Sequence, residues 1–120
     1  MLTNEASFEE RRFRMADVAV AGDKATKTPF YATADSNGVV WRLKPGQEIA
    51  PHMHTTSDDI WICLQGKGEF YPEKGVKKPI QAGDVIVSPR STCHGMINTG
   101  DEDFIFVGIL APVPSDFQAM

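Results

Sequence analysis

Two of the chain's three histidines, His52 and His54, sit in the stretch PHMHTTSDDIWICLQG, and the third, His94, comes well downstream. Imidazole is the commonest metal ligand among side chains, offering a lone pair on one ring nitrogen while the other donates a hydrogen bond. On a strand, residues two apart share a face, so His52 and His54 can meet one ion from a single rigid element while Met53 points away. One strand cannot surround an ion, so a site here needs a donor from another strand. His94 opens a later strand-like segment and can supply it. The adjacent carboxylates Asp58 and Asp59 offer an oxygen donor, and either could belong to the cluster.

Bringing these residues together calls for several strands. Turn signals recur roughly every 8–12 residues, separated by short segments rich in β-branched and aromatic residues. Ser36-Asn37-Gly38 reads as a hairpin turn joining residues 29–34 to 39–43, because Asn and Gly accept the positive φ such turns require. Lys44-Pro45-Gly46 ends the second of these strands. Further strands are predicted at 49–54, 59–65, 69–71, 85–88, 94–98 and 104–110, with breaks at 66–68, 73–79, 82–84, 89–91 and 99–101. No stretch shows a sustained helical period capped at both ends. Residues 7–15 are the nearest candidate, and ERRFR would sit as well on an exposed strand. Many short strands with Gly and Pro turns point to a sandwich or barrel.

Composition sets the outer limits. A chain of 120 residues makes one domain, and at that size it buries roughly two-thirds of its unfolded surface without needing disulfides. A net charge of −4 disfavours nucleic acid as a partner. The one basic patch, EKGVKKP, reads as a solvated hairpin whose lysines blunt a sheet edge. Two cysteines, Cys63 and Cys93, make no disulfide framework. No apolar run approaches the roughly 20 residues that span a bilayer, and the charged N-terminus has no apolar signal core. A soluble cytoplasmic protein without membrane partners is the expectation.

The spacing carries a resemblance. The first segment reads Gly46, five residues, His52-Met53-His54, four residues, Asp59, six residues, Gly66. The second reads Gly83, five residues, Pro89-Arg90-Ser91, two residues, His94, three residues, Asn98. Together they resemble the two motifs of the cupin superfamily, in its small single-domain (type-2) form. The resemblance implies an all-β double-stranded β-helix, a jelly-roll barrel over residues 26–112. Residues 1–25 are expected as an N-terminal arm or strand and 113–120 as a tail, the segments available for the homodimer that the resemblance implies. The implied metal ligands are His52, His54, Asp59 and His94, and the implied cofactor is a divalent transition metal. Four N/O donors with open positions suit Fe, Mn, Ni, Zn or Cu, and donor type does not choose among these. An open position would let the ion bind and polarise a substrate oxygen or activate water or dioxygen.

Two positions depart from the family pattern. Ser91 stands where the family has glycine, so it must accept that turn's backbone geometry. Asp59 stands where the family has glutamate, one methylene shorter and about 1.5 Å less in reach. Metal–oxygen bonds of about 2.0–2.2 Å tolerate errors of only about 0.2 Å. Either the backbone moves inward, a water bridges, or three histidines hold the ion alone. Asp58 breaks the spacing to Gly66 and would face away from 59, 61 and 63, so it reads as a turn residue before the strand.

Trp61 and Cys63 share the parity of Asp59, and Met96 and Asn98 share that of His94, which makes all four candidates for the pocket wall. Core packing is the competing account of Trp61. Free cysteine is usually buried, and nothing in the sequence lowers the pKa of Cys63 toward a Cys–His nucleophile. Cys93, next to His94, should face away from it, which disfavours a bridge to Cys63. Arg42 reads as an exposed arginine on an edge strand. Tyr31, Gln47 and Gln65 are hydrogen-bond candidates. The function expected is metal-dependent oxygen chemistry or decarboxylation of a small acid. The alternatives are a metal-dependent isomerase or lyase, or a non-catalytic module binding a small ligand or metal.

Overall fold

In a computed structural model describing residues 1–120, ten strands form two five-stranded antiparallel sheets facing each other. The first sheet has the order β1 (Thr26–Ala32), β2 (Asn37–Leu43), β9 (Phe104–Ala111), β4 (Asp58–Gln65), β7 (Val85–Ser88). The second has the order β10 (Gln118–Ala119), β3 (Glu48–Met53), β8 (His94–Ile97), β5 (Lys67–Glu73), β6 (Val76–Gln81). From β2 to β5, and again from β7 to β9, the chain changes sheet at every turn, and this winding is the double-stranded β-helix. Alternation along each strand fills the space between the sheets with Leu43, Ile49, Trp61, Cys63, Phe70, Ile80, Met96, Phe104 and Phe106.

The first hairpin forms as expected but turns earlier. Thr33 closes it, its Oγ1 accepting from the amides of Asp35 and Ser36 while its own amide donates to Ser36 O at 2.8 Å. A threonine that satisfies two turn amides competes well with an Asn-Gly pair, so Asn37 and Gly38 join β2 instead. The basic hairpin is also present, though its strands are longer than expected. β5 runs to Glu73, the chain reverses at Lys74-Gly75, and β6, absent from the sequence reading, carries exposed Lys77 and Lys78 along the sheet edge.

Residues 7–15 contribute only one helical turn, α1 (Phe8–Arg11), which Ser7 and Glu10 close as a reciprocal capping box. A second turn, α2 (Met15–Val18), follows. No helix is long and apolar enough to cross a membrane. The arm lies against the first sheet. Arg42 therefore departs from expectation: β2 is flanked by β1 and β9, and the half-buried guanidinium is engaged on both sides. Its Nε donates to Asp103 Oδ2 at 2.8 Å and its Nη1 to Ala19 O at 3.1 Å. Tyr31, Gln47 and Gln65 likewise bind loops, to Ser36, to Lys44 and Gly22, and to Asp103.

Ser91 adopts φ 65°, the left-handed region that costs a residue with a Cβ about 1–2 kcal/mol. The turn keeps this geometry because the Ser91 amide reaches the carbonyl of His54 at 2.7 Å, tying the β7–β8 loop to the histidine pair.

Candidate metal centre

His52 and His94 are directly opposed across β3 and β8, next to an irregularity in β3 between Ile49 and His52. The two strands approach closely there: a Cβ on Gly95 would lie 2.6 Å from Ile49 O and 3.0 Å from Ala50 O. His54 follows β3, at the start of the loop to β4. The ring centroids are 4.2 Å apart for His52–His94, 4.9 Å for His54–His94 and 5.3 Å for His52–His54.

Backbone carbonyls fix the tautomers. His52 Nδ1 faces Ala50 O at 2.9 Å, His94 Nδ1 faces Thr92 O at 3.4 Å, and His54 Nδ1 faces Asp116 O. A carbonyl can only accept, so each Nδ1 is the donor, and in the neutral ring each Nε2 keeps its lone pair. One donor atom from each ring lies within 4.8 Å of the other two, so the rings draw together where bonds of about 2.0–2.1 Å to a shared ion are made.

Asp59 is buried beside this group, its Oδ2 3.1 Å from His94 Nε2 and 3.5 Å from His54 Nε2. It is not among the mutually close donors, which are the three histidines alone. At 3.1 Å the His94–Asp59 approach is short enough for a hydrogen bond, but His94 Nε2 and Asp59 Oδ1 are both buried without a hydrogen-bond partner. The Nε2 axis is therefore aimed past the carboxylate. Two buried orphaned atoms, flanked by three pre-set imidazoles, fit a metal ion better than a closed hydrogen-bond network.

Burial drives the His52 pKa down to about 4, with the neighbouring imidazoles adding to the effect. Burial alone would raise the Asp59 pKa, but the His54 and His94 rings outweigh it and bring it to about 2. The Asp59 carboxylate, 3.5 Å from its Nε2, raises His54 in turn. At neutral pH the carboxylate is ionised.

Asp58 is the first residue of β4 rather than a turn residue, paired with Ala111. It points away from the histidines, and its Oδ1 accepts from the Arg90 amide at 3.0 Å. Among the four expected wall residues, Trp61 lines the cavity beside the histidines, its ring edge-on to His94 at 5.8 Å. Cys63 and Met96 lie in the hydrophobic core, and burial pushes the Cys63 thiol up to about 11, away from the thiolate a nucleophile needs. Asn98 holds a loop: its amide donates to Leu43 O and Glu102 O, and its oxygen accepts from Gly100. Both cysteines are free.

The cavity itself is small, about 220 Å³, below the roughly 300–1,000 Å³ of sites for drug-sized ligands. Val39, Trp41, Trp61, Leu110 and Phe117 form its apolar wall. Lys27 is its one ammonium, on β1 opposite Trp41, with Nζ 5.8 Å from the centre of that indole. The sequence reading had no signal for Lys27 or Phe117. A wider groove of about 670 Å³, between the arm and β1, is lined by residues such as Leu2, Phe13 and Tyr31 and includes none of the histidines.

Residues 39–110 match the family model described as Cupin domain. The oxalate-binding protein of Thermotoga maritima is 33% identical over 69 residues, 58% of this chain and 56% of that protein. The glucose-6-phosphate isomerase of Thermococcus onnurineus is 38% identical over 80 residues, 59% of this chain and 42% of the enzyme. The chain thus spans about half the length of these curated relatives. Among solved structures, a Klebsiella pneumoniae protein with a double-stranded β-helix domain superposes with a TM-score of 0.87 at 33% identity, covering 92% of this chain and 97% of that one.

Proposed function

This chain belongs to the cupin family, and on that footing we propose that it holds one divalent transition metal and acts through it on a small acid. The observation that carries the reading is the convergence of three imidazoles, each with Nδ1 facing a carbonyl, two of which, His52 and His54, line an apolar cavity. His52, His54 and His94 hold the ion, and Asp59 completes or neutralises the site from the side of His54 and His94. A bound ion supplies Lewis-acid polarisation of a ligand oxygen, or activation of dioxygen or water.

The protein's own residues favour an anion. One ionised carboxylate leaves a divalent site with net positive charge, and Lys27 adds a second cation at the mouth. Trp41, Trp61 and Phe117 exclude water from the ligand's body. A polyhydroxylated sugar phosphate fits worse, because each hydroxyl left unpaired against those walls costs about 1–3 kcal/mol. The relative named for oxalate binding supports the same choice. Within this reading we favour oxygen chemistry or decarboxylation. A non-catalytic binding module is the second reading, supported by the scarcity of proton-transfer groups: apart from the histidines, Asp59 and Lys27, no titratable side chain lines the cavity.

Protein purified without chelator should contain one transition-metal ion per chain by elemental analysis, and the loaded protein should bind oxalate in a calorimeter. Lys27→Met should weaken oxalate about tenfold, near the low end of the value for a hydrogen bond to a charged group, and leave the metal content unchanged. Failure to take up any metal would sink the reading. Undiminished oxalate binding by Lys27→Met would remove the role of Lys27. Dioxygen uptake or carbon dioxide release with small acids separates an enzyme from a binding module.

The proposal includes a homodimer. On the outer face of the first sheet Ile60 aligns with Val87 and Ile109, and Ile62 with Val85 and Val107, forming an aliphatic surface across three strands. Val85 and Val87 are about 60% exposed on it. An aliphatic face of this kind is self-complementary about a two-fold axis. Light scattering should give twice the chain mass, and Val85→Lys combined with Val87→Lys should halve it. A monomeric parent protein would refute this part. The two unpaired cysteines also suit a reducing cytoplasmic setting, which belongs to the same proposal.

A further inference from the structure

After β9 the chain returns to the cavity mouth and is fastened there. Ser57 Oγ donates to Pro112 O, and Thr56 Oγ1 lies 3.2 Å from Pro114 O. The Asp116 carboxylate accepts from the amides of Thr55 at 2.7 Å and Thr56 at 3.2 Å and from the Thr55 hydroxyl. The Asp116 amide donates back to Thr56 Oγ1 at 3.1 Å. Two residues on, Gln118 and Ala119 pair with Met53 and His52 as β10. The segment is thus clasped on both sides of Phe117.

Two consequences for the site follow from this clasp. The Asp116 carbonyl is the acceptor that sets the His54 Nδ1 tautomer. Phe117 lies over His52, with ring centroids 5.0 Å apart and planes at 24°, and lines the cavity. At 64% exposed, the phenyl ring gains little from burial, so its position is dictated by the backbone on either side.

We propose that Pro112–Met120 is a strap that forms part of the site: Asp116 positions His54 toward the ion, and Phe117 closes the cavity over His52. The first half rests on the metal-binding reading above, and the second does not. Asp116 is a positioning residue, acting through His54 rather than on a ligand.

The test uses the full chain with Asp116→Ala, Asp116→Asn, Phe117→Ala and Phe117→Leu, and Co(II) as the probe. Asp116→Ala should speed hydrogen–deuterium exchange over residues 114–120 about tenfold in metal-free protein. It should also weaken Co(II) at least tenfold in competition with a chromophoric chelator, within the roughly 10–100-fold span of lost outer partners. The visible Co(II) spectrum should lose intensity changes due to His54. Asp116→Asn keeps an acceptor for the two threonine amides and should restore affinity and spectrum, an effect that a general loss of stability would not produce. Phe117→Ala should raise acrylamide quenching of tryptophan fluorescence, and Phe117→Leu should not.

If the parent protein binds Co(II) and Asp116→Ala binds it equally well with the same spectrum, the positioning role is overturned while metal binding stands. If the parent binds no Co(II), both the metal reading and that role fall. Unchanged exchange and quenching would overturn the strap itself.

Discussion

Replacing His94 with alanine should cost more than the roughly 10–100-fold in metal affinity that is lost with an outer partner, because a direct donor is removed. His94 is the only donor from the second motif, it is 1% exposed, and its Nε2 has no protein partner to satisfy it. A ring in that state fits a role toward an ion. The two aspartates should then separate. Asp59→Ala should weaken the ion by an intermediate amount, since it removes the one carboxylate that lines the cavity. Asp58→Ala should change nothing at the metal, because its carboxylate serves the Arg90 amide. Chelator competition on the three variants measures this series. Equal losses for Asp58→Ala and Asp59→Ala would contradict the inward placement of Asp59.

The second large effect is expected at Gly95. An alanine Cβ there would meet Ile49 O at 2.6 Å and Ala50 O at 3.0 Å, and both atoms are backbone. Neither can rotate aside, so β8 must move away from β3 at the place where His52 and His94 oppose each other. Overpacking of this kind costs about 1–3 kcal/mol, and metal affinity should fall even under conditions that leave the variant folded. Gly75→Ala is the control, since it also has positive φ but no atom within 4 Å of the added Cβ. Urea denaturation with Co(II) titration checks both. A Gly95→Ala variant that matched Gly75→Ala in stability and kept its metal affinity would show that the strands part without consequence.

Much of the barrel and the histidine group could be read directly from the chain. His52 and His54 share a strand face by parity alone, and Asp59, Trp61 and Cys63 do turn inward together. Parity assigns a face but gives no depth along the barrel. Trp61 lies beside the cavity, whereas Cys63, two residues further along the same face, is in the core away from it. Met96 follows the same logic, and Asn98 falls beyond the end of β8, where alternation no longer applies. Lys27 and Phe117 depend on strand pairing between distant segments, and no local pattern encodes that. Arg42 was misread for the same reason, since an arm with no clear periodicity determines what covers β2.

The strap also bears on when the site can exist. The three imidazoles and Asp59 belong to residues 52–94, but the acceptor that orients His54 is contributed by residue 116. While the chain folds, the three rings can meet before that acceptor has docked. Until then His54 is free to offer either ring nitrogen, and the half-made cluster can take whichever ion is most abundant in whatever geometry it prefers. On the metal-binding proposal, loading belongs after the barrel has wound and its last strand has docked.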